Sequence, residues 1–217
     1  MDIDLRLYAL VDPAVAGGCT LAELAGLIAG SATLVQLRDK HGSTRAMVEE
    51  ARALRGVLEP AGVPLLINDR VDVALAAEAD GVHIGQDDMA PADARLLLGR
   101  TAVIGLSINT VQQAQAAPLE LLNYVAIGGV FATTSKDDTS TPISLGGLRA
   151  VVQAVRARKA QFPICAISGI NAGNAAEVIA AGADGVAVIS ALSLAGDPAQ
   201  AAQDLRAVGT TRSSGGG

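Results

Sequence analysis

Thr33-Leu34-Val35-Gln36-Leu37-Arg38-Asp39-Lys40 begins as an apolar strand and ends as an amide, two cations and an acid. The same pattern returns twice: Pro64–Ile67 runs into Asn68-Asp69-Arg70, and Gly81–Gly85 into Gln86-Asp87-Asp88. Parallel α/β proteins carry their chemistry at the carboxyl ends of their strands. A magnesium-bound phosphate suits such a mixture of cations, amide and acids better than a packed core does.

Outward from this stretch, short strand runs alternate with helical periodicity along the whole chain. Strands are predicted at Leu5–Val11, Thr33–Arg38, Pro64–Asn68, Gly81–Ile84, Ala102–Ser107, Tyr124–Val130, Pro163–Ile167 and Gly185–Ile189. Between them lie helices at Leu21–Ala29, Thr44–Glu59, Val71–Ala79, Pro91–Leu98, Val111–Ala116, Leu148–Ala160, Ala175–Ala181 and Pro198–Val208. Eight βα units in about two hundred residues predict an α/β fold, a single (β/α)8 TIM barrel over residues 1–209. No Gly-x-Gly-x-x-Gly follows the first strand, which argues against a doubly wound sheet. Glu78-Ala79-Asp80-Gly81-Val82 is echoed by Gly182-Ala183-Asp184-Gly185-Val186. Half-barrel duplication and a plain helix-to-strand turn explain that echo equally well.

Composition narrows the function. Of 217 residues, 50% are apolar and 2% aromatic, so the core must be built from Ala, Val, Leu and Ile. A net charge of −6 with no basic stripe speaks against nucleic-acid binding. Cys19 and Cys165 lack metal or redox spacing and read as reduced structural residues of a cytoplasmic protein. The amino terminus has no signal-peptide profile, and no strongly apolar charge-free run of membrane-spanning length occurs. The Ser/Gly-rich segment 210–217 is expected to be a disordered tail.

Strand parity sharpens the first cluster, because Gln36, Arg38 and Lys40 point one way in an extended chain. At a barrel mouth they make a diphosphate-binding wall; the alternative is a solvated strand end salt-bridged to Asp39. Asp69 and one of Asp87 and Asp88 sit at neighbouring strand ends and could share a cation, since Mg²⁺ is held by few carboxylates plus phosphate oxygens. The Asp pair alone reads as readily as a helix cap before Pro91. His83, inside an apolar strand, reads as a hydrogen-bonded structural residue before a catalyst, and Tyr8 shares that ambiguity. Thr133-Thr134-Ser135-Lys136, Ser168-Gly169-Ile170-Asn171 and Ile189-Ser190 end later strands, where hydroxyls, backbone amides and a lysine can cradle phosphate.

Taken in order, these motifs resemble the thiamine-phosphate synthase family. The similarity runs through Val35–Lys40, Ile67–Asp72, Gly81–Asp88, Gly105–Ser107, Val130–Lys136, Ala166–Ile170 and Val188–Ser190. It implies a transferase joining hydroxymethylpyrimidine diphosphate to thiazole phosphate, with Mg²⁺ as cofactor and release of diphosphate. Position by position, it implies that Gln36, Leu37, Arg38, Asp39, Lys40, Asn68, Ser107 and Lys136 bind the pyrimidine diphosphate. Of these, Arg38, Lys40, Ser107 and Lys136 would be catalytic. Asp69 and Asp88 would hold the metal, and Thr133, Thr134, Ser135, Gly169, Ile189 and Ser190 the thiazole phosphate. Partners would be small molecules, with no nucleic acid or membrane, and homo-oligomerisation is left open. Ser168 stands where the family commonly has glycine, Gly129 and Ala132 where prolines are frequent, and Ser135 where threonine is. A thiazole tautomerase-like barrel, an inactive thiamine-phosphate sensor and a phosphosugar epimerase are the competing expectations. The combined acidic and cationic positions weigh against the first, and the two histidines against the last.

Overall fold

The computed structural model describes residues 3–133 and 141–210. Eight parallel strands close into a barrel in chain order: β1 (Leu7–Val11), β2 (Leu34–Leu37), β3 (Leu65–Asn68), β4 (Gly81–Ile84), β5 (Val103–Ile108), β6 (Tyr124–Ile127), β7 (Ile164–Ile167) and β8 (Gly185–Val188). Around them run α1 (Leu21–Ile28), α2 (Thr44–Leu58), α3 (Val71–Ala77), α4 (Pro91–Leu98), α5 (Val111–Ala116), α6 (Ser144–Arg158), α7 (Ala175–Ala180), α8 (Ser190–Ser193) and α9 (Pro198–Thr210). The TIM barrel expected from the strand rhythm is the fold.

Period-two alternation divides each strand between two cores. Tyr8, Leu34, Leu66, Val103, Tyr124 and Cys165 point inward and fill the barrel. Val35, Leu37, Ile67, Val82 and Ile104 point outward against the helices. Local chemistry starts the helices: Thr20 with Glu23 and Thr110 with Gln113 form capping boxes, and Ser43 accepts from the Ala46 amide. Glu78 turns left-handed (φ 54°), which stops α3 at Ala77, two residues short of the expectation. Helix α6 starts at Ser144, four residues early, because the apparent breakers Gly146 and Gly147 lie within its first turn. Strand β6 ends at Ile127, where Gly128 and Gly129 bend the chain across to β7. The short α8 was not legible as a helix. Among the described residues, no helix is long and apolar enough to cross a membrane.

The Ala-Asp-Gly-Val echo has a structural reason. Asp80 accepts from the Leu65 amide at 2.8 Å while its own amide donates back to the Leu65 carbonyl. Asp184 repeats this clasp on Ile164, Thr33 on Leu7 and Asn123 on Ile104. Each clasping residue immediately precedes an even-numbered strand, so the repeat is fourfold. Arg156 Nη2 adds a donor shared between both carboxylate oxygens of Asp184, each contact 2.7 Å. These clasps lie at the strands' amino-terminal end, the face where a barrel invests in stability. Asp184→Ala leaves the Ile164 amide and Arg156 without this acceptor and should cost about 2 kcal/mol. The melting temperature should fall by about 4–8 °C with Michaelis constants unchanged; a kinetic defect at full stability would contradict this division of labour.

Candidate active site

At the carboxyl ends of the strands opens a cavity of about 740 Å³. Gln36, Arg38 and Lys40 line it, as their shared parity requires, with Asn68, Asp69, Asp88 and Ser107. Leu37 and Asp39 do not. Leu37 points outward into the core beneath the helices, and the Asp39 carboxylate accepts from the His41 and Gly42 amides, closing a turn. Asp39 is therefore not the salt-bridge partner of the cations. Arg38 pairs with Asp12 and Lys40 with Asp69.

The Arg38–Asp12 pair is largely withdrawn from water, its side chains 14% and 3% exposed. Asp12 also accepts from the Ala14 amide at 2.9 Å. Asp69 sits in the left-handed region (φ 61°), a conformation that Asp tolerates better than most residues. Its amide donates to the His83 carbonyl at 2.8 Å, which ties the end of β3 to β4. Burial first, and then the facing Asp88 carboxyl, push the Asp69 carboxyl above its ordinary range, with Lys40 opposing. Asp88 in turn accepts from the Gly85 amide at 2.7 Å. Asp87 is exposed and does not line the cavity, and Ala90, not either acid, caps α4 without a side-chain bond.

Among the described lining residues, three carboxylates (Asp12, Asp69, Asp88) oppose two cations (Arg38, Lys40). Counting these five side chains alone, the wall carries one net negative charge, a balance that an added cation would shift toward holding a polyanion. Two carboxylates facing each other at the mouth are the donor set that Mg²⁺ takes when phosphate oxygens complete its shell. No group of three or more His, Cys, Asp or Glu with metal-binding proximity occurs among the described residues.

Beneath this rim a polar line crosses the barrel. Ser107 Oγ is 2.8 Å from His83 Nε2, His83 Nδ1 is 2.9 Å from Tyr124 Oη, and Tyr124 Oη is 2.8 Å from Tyr8 Oη. Gln36 Nε2 donates to Tyr8 Oη. The Tyr124 ring occupies the space that a Cβ at position 105 would need, which makes Gly105 part of the arrangement. Of this line, Tyr124 and Asp12 on the rim escaped the sequence reading. One signal was available: both tyrosines of an aromatic-poor chain fall at inward strand positions, and Asp12 shares the parity of Tyr8.

A second cavity of about 310 Å³ adjoins the first, sharing Ile167 and Ala187 as wall. It is lined by Thr133, Ser168, Gly169, Ile189 and Ser190 among others. Ser168 (φ 91°) and Gly169 (φ 65°) are both left-handed. A Cβ on Gly169 would meet the Ala132 carbonyl and approach Phe131 Cβ to 2.8 Å. Ser168 Oγ accepts from the Gly129 amide at 3.1 Å and its carbonyl accepts from Phe131. The serine thus stitches the loop after β6 to the end of β7. Thr134, Ser135 and Lys136 lie outside the described residues, as does the tail from 211 onward.

The family model described as thiamine monophosphate synthase matches residues 7–192. The thiamine-phosphate synthase of Chloroflexus aurantiacus is 49% identical over 207 residues, covering 95% of this chain and 93% of its own. That of Agrobacterium fabrum is 48% identical over 205 residues, covering 94% and 93%. Among solved structures, a thiamine phosphate pyrophosphorylase from Pyrococcus furiosus superposes with a TM-score of 0.81 at 35% identity, covering 94% of this chain and 95% of that one. A 3-hexulose-6-phosphate synthase, at 18% identity and a TM-score of 0.63, shares the fold alone.

Proposed function

The chain belongs to the thiamine monophosphate synthase family, and from that premise we propose the reaction it catalyses and the part each cavity plays. It is an enzyme, a transferase. It joins 4-amino-2-methyl-5-(diphosphooxymethyl)pyrimidine to 4-methyl-5-(2-phosphooxyethyl)thiazole, giving thiamine phosphate and diphosphate, and acts in the cytoplasm on small molecules alone. The observation that carries this reading is the pair of adjoining cavities: one rimmed by cations and facing carboxylates, the other by left-handed loops and strand-end hydroxyls.

In the larger cavity Gln36 and Ser107 hold the pyrimidine, while Arg38, Lys40 and Asn68 face its diphosphate. Leu37 and Asp39 set the path of that strand end, since their side chains turn away. Asp69 and Asp88 would hold Mg²⁺, which supplies charge neutralisation to a wall that is otherwise net negative. Thr133, Gly169, Ile189 and Ser190 hold the thiazole phosphate in the smaller cavity, with Thr134 and Ser135 assigned beside them on sequence alone.

The reaction is dissociative. The pyrimidine C–O bond breaks with its electron pair leaving on diphosphate, and the thiazole nitrogen lone pair then closes the C–N bond on the pyrimidine-methyl cation. No general base takes part in the bond-breaking step. Arg38 and Lys40 stabilise growing charge on the leaving group, as Lys136 does by its place in the motif. Ile167 and Ala187, common to both cavities, would form the wall along which the thiazole meets the cation.

Incubation of the protein with both substrates and Mg²⁺ should yield thiamine phosphate and diphosphate in equal amounts. Folded protein that binds either substrate without forming product would indicate a sensor. Conversion of a thiazole carboxylate phosphate in the absence of pyrimidine would indicate a tautomerase.

Ser168→Gly tests the assignment of the smaller cavity. Glycine relieves a left-handed residue that costs about 1 kcal/mol and loses a hydrogen bond worth about as much, so stability should hardly move. The loop is no longer stitched to Gly129, and the Michaelis constant for thiazole phosphate should rise about threefold to tenfold, the worth of that bond. The constant for the pyrimidine diphosphate should stay put; a change there instead would mean that the two anion sites are assigned the wrong way round.

A further inference from the structure

The loop from β1 to α1 reaches both cavities. Its first residue, Asp12, pairs with Arg38 and caps the turn Pro13–Val15 by accepting from the Ala14 amide. Val15 then packs against the inner core, of which Ile189 is a member. Two residues on, Gly17 is left-handed (φ 63°) and lies against α8. A Cβ there would stand 2.0 Å from the Ser193 carbonyl oxygen, where real contacts keep at least 3.0 Å. At position 17, therefore, only glycine lets the loop and this helix meet. The capping box of Thr20 and Glu23 holds the loop's far end.

Helix α8 has four residues, and its cap, Ile189, offers no side-chain bond. A single uncapped turn has almost no stability of its own, so tertiary contacts set where it lies. Ile189 and Ser190 line the smaller cavity and move with it, whereas Gly17 lines neither cavity. We propose that Gly17 is a positioning residue for thiazole phosphate: it seats the β1–α1 loop on the Ser193 carbonyl and so fixes Ser190. This rests on the synthase reading, in which that phosphate occupies the smaller cavity. A side chain at position 17 would push α8 by about 1 Å, the shortfall from an ordinary contact. Displacement on that scale spoils hydrogen bonds to a bound anion.

The test is calorimetry of thiazole phosphate, with the Michaelis constants of both substrates, in wild type, Gly17→Ala and Gly18→Ala. Gly18 is the control: its φ is also positive (90°), but nothing lies within 4 Å of a Cβ placed there. Backbone strain is common to the two variants, whereas pressure on α8 belongs to Gly17→Ala alone. Gly17→Ala should weaken thiazole phosphate about tenfold, the worth of a hydrogen bond to a charged group, and Gly18→Ala should leave it unchanged. The constant for the pyrimidine diphosphate should hold in both.

Equal weakening in the two variants, or a folded Gly17→Ala protein of unchanged thiazole-phosphate affinity, overturns the inference and leaves the synthase reading standing. A rise confined to the pyrimidine diphosphate overturns it too, since the loop would then have yielded at Asp12 instead of α8. Wild-type protein that forms no thiamine phosphate removes the synthase reading; if it binds no thiazole phosphate either, the inference goes with it. Should Gly17→Ala not fold, hydrogen exchange of the wild type decides. Thiazole phosphate that slows exchange at Ser190–Leu194 should slow it at Gly17–Cys19 as well, and protection of the helix alone overturns the inference.

Discussion

Asp69→Ala should lower turnover by about a thousandfold at millimolar Mg²⁺, and Asp88→Ala should match it, the scale of losing a charge stabiliser at a leaving group. Asp87→Ala should cost about twofold, as expected for an exposed charge. The contrast follows from the cavity wall. Asp69 and Asp88 face one another at its mouth, whereas Asp87 is turned to solvent. With Arg38 already paired to Asp12 and Lys40 to Asp69, neither lysine nor arginine is available to a diphosphate without reorganisation. A divalent ion held by Asp69 would also free Lys40 for the substrate.

The same geometry fixes a pH dependence. Burial and Asp88 raise the Asp69 carboxyl above its ordinary range. Its protonated form is thus favoured by folding at low pH, and that contribution is lost as pH rises through the raised value. Mg²⁺ needs the ionised form, so its affinity should climb over that interval, above the normal carboxylate range. Metal-free Asp69→Asn should melt no lower than the wild type at neutral pH, because it removes a strained like-charge contact along with a half-exposed ion pair. Calorimetric Mg²⁺ titrations of the three alanine variants check the assignment; greater damage from Asp87→Ala would move the metal.

Much of this site could be read before any coordinates. Strand parity singled out Gln36, Arg38 and Lys40 from a five-residue run, and these three reach the cavity while Leu37 and Asp39 do not. Parity is a local rule, and it fails where partners come from distant strands. Asp12 was not singled out, because only barrel closure brings it to Arg38. Tyr124 was not singled out either, because its hydroxyl matters only where Tyr8 and His83 meet it from other strands. The start of α6 was missed for the opposite reason: Gly146 and Gly147 have weak local preference, and tertiary packing of Leu148, Val151 and Val155 overrides it.

Arg38→Ala should be damaging twice over, and a second substitution should pull the two effects apart. The guanidinium is the main partner of an Asp12 carboxylate that is nearly sealed from water. Removing one member of a buried pair strands the other charge, and the cost should be about 3 kcal/mol, the low end for such losses. Independently, the diphosphate loses a charge-assisted contact that strengthens as negative charge builds on the leaving group. That should lower kcat/KM by about a hundredfold. Asp12→Asn in the Arg38→Ala background removes the stranded charge while keeping the acceptor for the Ala14 amide. Most of the lost stability should return in thermal melts, and none of the lost activity. Recovery of activity together with stability would mean that Arg38 serves only to neutralise Asp12, and that the diphosphate is held by other groups.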